Sequence, residues 1–80
     1  MMNNKATIRL DTTGKCCPEP MIRLNKAIKG LEKGESIELL ATDPATKNDV
    51  ESWCKRTGNK LMKSEFNTTE YIYYYVIECV

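Results

Sequence analysis

"CCPEPMIRLNKAIKGL", residues 16–31, joins a vicinal pair of cysteines to a helix-forming run. Met21, Leu24, Ala27, Ile28 and Leu31 recur at three- and four-residue spacing, the stripe of an amphipathic helix with one face on a core. Pro18 and Pro20 fix where that helix can begin. Proline is tolerated in a first turn, where amide donors have no intrahelical partner, and the residue before a proline is pushed out of the α region. The stretch therefore predicts Cys17 as the N-cap and Pro18 as the first helical residue.

On the N-terminal side, "KATIRL" (5–10) alternates, with Ile8 and Leu10 on one side and Thr7 and Arg9 on the other, which predicts a strand; "DTTGK" (11–15) reads as a loop. On the C-terminal side, "ESIELLA" (35–41) predicts a second strand. "TDPATKNDVESWCKRTGN" (42–59) predicts a second helix, with Asp43 as cap, Pro44 at its first position and Gly58 just past its end. Val50, Trp53 and Cys54 form its inner stripe. "KLMKSEF" and "EYIYYYVIEC" are two β-rich runs around the turn "NTTE". The order β-α-β-α-β-β predicts one domain over residues 1–80, a two-layer α/β sandwich. Its four-stranded mixed sheet carries both helices on one face, with each β-α-β unit joining parallel neighbours and a closing antiparallel hairpin. The other face is expected to be wet, lined by Thr7, Arg9, Glu38 and Glu78.

Twelve Lys+Arg against eleven Asp+Glu leave 80 residues with a net charge of +1, so no whole-domain field points to nucleic acid or membrane. No apolar run approaches the roughly 20 residues that cross a bilayer, and the first ten residues lack a secretory pattern. A cytoplasmic location is expected, where thiols stay reduced. The chain has no His, which excludes a Cys-His catalytic pair within it, and no C-x-x-C. Cysteines at 16, 17, 54 and 79 lack the paired spacing of a zinc site, so neither metal nor organic cofactor is expected. At a helix start the dipole favours the Cys17 thiolate, while Glu19 and the two missing proline donors oppose it. The expected thiol is reactive without being extreme. Such a nucleophile, with no base of its own, can take sulfur from a persulfide and hand it on if its partners bring the remaining machinery.

The stretches "LDTTGKCCPEP" (10–20), "GE" (34–35), "ATDPAT" (41–46) and "WCKRTGNKL" (53–61) resemble the TusA/SirA-like sulfur carriers, whose signature is C-P-x-P. The resemblance spans essentially the whole chain. It implies that Cys17 accepts sulfane sulfur as a persulfide from a cysteine desulfurase or rhodanese-like donor. It further implies relay to an acceptor protein in tRNA thiolation or related sulfur metabolism, as a sulfurtransferase-type carrier. Cys16 departs from the family pattern and reads as a loop bystander or an auxiliary thiol. Pro18, Glu19, Pro20 and Asp43 are expected to shape the site. On the outer face of the first helix, Ile22, Arg23 and Lys26, with Lys29, read either as a solvated face or as a docking surface for an acidic partner. Cys54 reads as packing and Cys79 as a strand residue. Two rival functions are a regulatory interaction module without sulfur chemistry and RNA binding through the wet sheet face, which lacks a basic stripe. A monomer is expected.

Overall fold

In a computed structural model that describes residues 7–16 and 18–80, the chain runs β1 (Thr7–Thr12), α1 (Glu19–Ile28), β2 (Ser36–Ala41), α2 (Thr46–Thr57), β3 (Lys60–Asn67) and β4 (Ile72–Glu78). The expected order of elements and the two-layer α/β architecture are what the structure has. Alternation along the strands sends Ile37, Leu39 and Ala41 of β2 and Tyr75 and Ile77 of β4 to one face, all fully buried. Leu24 of α1 and Val50, Trp53 and Cys54 of α2 close over that face as a single core. Trp53 also donates its indole N–H to Asn25 Oδ1 at 2.7 Å, which links the two helices.

Strand order is β1-β2-β4-β3. β1 and β2 are parallel neighbours, as expected from the first β-α-β unit. The second unit differs: β4 lies between β2 and β3 and is antiparallel to both. β2 and β3 are therefore parallel without touching. The physical reason lies in β4 itself, the most apolar strand, with Tyr75 and Ile77 buried; a central position covers it on both edges, whereas β3 is almost wholly exposed.

Boundaries also move. Asp11 and Thr12 continue β1 rather than opening a loop, because Thr12 still pairs with Ala41 and is fully buried. Lys5 and Ala6, expected in that strand, lie outside the described residues. α1 ends at Ile28, and Leu31 reaches the core from the connection that follows. Gly58 closes α2 as expected, with φ +81° and its N–H on the Cys54 carbonyl at 2.9 Å.

Candidate functional site

Because β1 and β2 are parallel, the chain leaves both at the same end of the sheet, and both helices begin there. Thr12 Oγ1 donates to the Leu40 carbonyl, which pins the last residue of β1 to β2. Beyond it, Asp11 Oδ1 accepts from the Thr13 N–H at 2.9 Å and the Thr13 hydroxyl at 2.7 Å. These two bonds hold the Asp11 carboxyl below its ordinary value of 3.8. Gly14 then turns the chain at φ +81°, a conformation that costs other residues about 1–2 kcal/mol. Its N–H meets Thr42 Oγ1 at 2.9 Å, so the loop before α1 is fastened to the loop before α2.

Cys16 is exposed in this loop, and its carbonyl accepts the Glu19 N–H at 2.9 Å. Cys17, expected to carry the chemistry, lies outside the described residues. Pro18 was expected at the first helical position. It instead precedes α1, whose first residue is Glu19, and Pro20 occupies the second position, buried. The one-residue displacement leaves both prolines where no backbone donor is lost: the Pro18 carbonyl accepts from Met21 and Ile22 at 3.1 Å and starts the helical ladder. Gly14, Lys15, Cys16, Pro18, Glu19 and Ile22 line an open depression of about 450 Å³.

Glu19 does not stand alone beside this loop. Its Oε2 accepts from Arg23 Nε at 2.8 Å, one helical turn on, so two of the predicted residues neutralise each other. Ile22 is 48% exposed at the rim of the depression. Lys26 is exposed one turn further along, away from the depression's lining. Asp43 was expected to cap α2 directly. Its Oδ1 accepts from the Ala45 N–H at 3.0 Å and its carbonyl from the Thr46 N–H at 3.0 Å, which makes a capped turn ahead of a helix that starts at Thr46. Pro44 sits in that turn, so the local chemistry is as expected and the regular helix begins two residues later.

Cys54 is buried in the core, and burial pushes its thiol up from the ordinary value, which keeps it protonated and inert. Among the described residues no group of three or more His, Cys, Asp or Glu is placed to hold a metal ion, and no helix is long and apolar enough to cross a membrane. Gly14 and Thr42, which join the two loops, were not singled out from sequence. Thr42 lies inside "ATDPAT", yet its role depends on β1 and β2 being adjacent.

The family model described as Sulfurtransferase TusA matches residues 8–78. A protein of Bacillus subtilis (strain 168) described by name as the sulfur carrier protein YrkF is 43% identical over 61 residues, which is 76% of this chain. The match covers 33% of that relative, so the chain spans about a third of its length. The crystal structure of a SirA-like protein from Desulfitobacterium hafniense superposes with a TM-score of 0.79 at 22% identity, over 89% of this chain and 95% of that one, and so shares the fold. With the family's model matched from the first strand to the last, the chain belongs to the TusA sulfurtransferase family.

Proposed function

We propose that the protein is a sulfur carrier that accepts sulfane sulfur on Cys17 and relays it, in the cytoplasm, to acceptor proteins of tRNA thiolation or related sulfur metabolism. The Cys17 thiolate attacks the outer sulfur of a donor persulfide. A Cys17–sulfur bond forms, the donor's sulfur–sulfur bond breaks, and the donor leaves as a thiolate. An acceptor thiolate repeats the attack on the carried sulfur and regenerates Cys17. Both steps are thiol exchanges that need no base, metal or oxidant from this chain, only a thiolate and access to it. The observation that carries the reading is the exposed stretch Gly14–Cys16, fastened by the Gly14–Thr42 bond and set just before α1, whose start is marked by Pro18 and Pro20. Donor and acceptor, a cysteine desulfurase or rhodanese-like protein and a relay protein, dock on the α1 side, through Ile22 at the rim of the depression and Arg23 and Lys26 further along the helix. Pro18, Glu19, Pro20 and Asp43 shape the surroundings of the thiol, and Cys16 serves as an auxiliary thiol.

The test is intact-protein mass after incubation with a cysteine desulfurase and cysteine, for the wild type and each single Cys→Ser variant. The expected result is gain of one sulfur atom, removed by reductant, in every protein except Cys17→Ser. Loading that persists in Cys17→Ser and stops in Cys16→Ser would move the site by one residue. No loading in any protein would replace the carrier by an interaction module.

A further inference from the structure

β3 is an edge strand: among the described residues it pairs only with β4, and its outer side faces solvent. A long exposed edge with apolar residues invites another strand. Here Met62 and Phe66 are 52% and 42% exposed on the same strand. Between them, Lys63 and Glu65 pair with Val76 and Tyr74 of β4 and so share the open face of the sheet. Their mutual contact is long, 3.9 Å, and both side chains are more than half exposed, so each is available to a better partner.

We propose that β3 pairs antiparallel with β3 of a second copy of this chain, about a two-fold axis through Ser64. An antiparallel strand can meet its own copy only in registers centred on a residue, because directly opposed residues must share a face. Centred on Ser64, Lys63 of each copy faces Glu65 of the other within the regular part of the strand, and Phe66 falls opposite the bulged position Met62, which has no partner on β4. A centre at Lys63 or Glu65 instead opposes that charge to itself. The charge pattern thus selects one register, and it is self-complementary, as a two-fold interface requires. β1, the opposite edge, lacks a free equivalent, since its Asp11 carboxylate is already held by Thr13. The dimer is an eight-stranded sheet. Each Gly14–Glu19 loop lies on the β1–β2 side, three strand spacings or roughly 14 Å from the new interface, and stays uncovered. This departs from the monomer expected from sequence.

Sedimentation velocity over a concentration series tests it. The wild type is expected to show a concentration-dependent monomer–dimer equilibrium. Lys63→Glu and Glu65→Lys should each weaken it about tenfold or more, since both turn two attractive cross-strand pairs into repulsive ones. The doubly swapped Lys63→Glu, Glu65→Lys protein should recover wild-type association. Both side chains that are exchanged are exposed, so far-UV circular dichroism should be unchanged. A wild type that stays monomeric at every concentration overturns the proposal. So does a dimer indifferent to the single reversals, or one that the double swap fails to restore.

Discussion

The Gly14 N–H and Thr42 Oγ1 lie 2.9 Å apart across 28 positions of sequence, and their bond ties the loop that leads into α1 to the loop that leads into α2. Neither residue is chemically reactive. Their bond sets how much the loop around the proposed sulfur site can move relative to the sheet.

Thr42→Val keeps the shape and removes the acceptor. The expected loss of stability is small, about 0.5–1 kcal/mol for one partly solvated bond. The Gly14 amide should exchange with solvent markedly faster while core amides such as those of β4 do not change. Unaltered protection at Gly14 would show that the two loops are independent.

The indole of Trp53, 1% exposed, has Asn25 Oδ1 as its hydrogen-bond partner at 2.7 Å. Asn25→Ala leaves a desolvated donor and should cost about 1–3 kcal/mol, read as a lower urea midpoint. Asn25→Asp retains the acceptor and should recover much of that. Trp53 is the chain's single tryptophan, so its fluorescence reports the change without ambiguity.

Tyr75 is fully buried, and its hydroxyl has no hydrogen-bond partner among the described residues. Burial first, then the neighbouring Tyr73 and Glu51, raises its pKa well above the ordinary 10.0. The folded state then holds this proton where the unfolded chain releases it, so the associated stability is present below pH 10 and is lost as pH rises beyond it. Tyr74 shifts in the same direction, chiefly through its hydroxyl's bond to Glu38 at 3.0 Å. Tyr75→Phe should flatten the alkaline loss in a series of denaturation curves. Near neutral pH it should leave stability within about 1 kcal/mol of wild type, because an unpartnered hydroxyl leaves the core with nothing stranded behind it. An unchanged alkaline slope would mean that the phenol is solvated.

On α1, Lys26→Glu and Ile22→Glu should slow sulfur loading from a desulfurase by about two- to tenfold and reduce its dependence on salt. In Lys26→Glu, loading from a small persulfide should be untouched, since Lys26 lies outside the depression beside the loop. Arg23→Ala has a second effect: it releases the Glu19 carboxylate beside the loop. If both donors are slowed equally, the α1 face acts on the chemistry and not on docking.

The six elements, their order and the inner stripes of the two helices were legible in the sequence, because period, caps and turns are local. The spacing from Met21 to Ile28, the prolines at 18 and 20, and Gly58 each act within a few residues, and the structure departs from them only by shifts of one or two positions. The C-P-x-P stretch and its resemblance to sulfur carriers were equally local. Strand order was not. Nothing in the chain from Ala41 to Lys60 states whether the second crossover skips a strand; that depends on β4 having the most apolar surface to hide, and the pairing that hides it joins residues such as Leu39 and Tyr75 far apart in sequence. The exposed β3 edge follows from that arrangement, whereas the Gly14–Thr42 bond follows from β1 lying beside β2 and the Trp53–Asn25 link from α1 packing beside α2. Local chemistry determined what each segment is, and only long-range packing decided which segments meet.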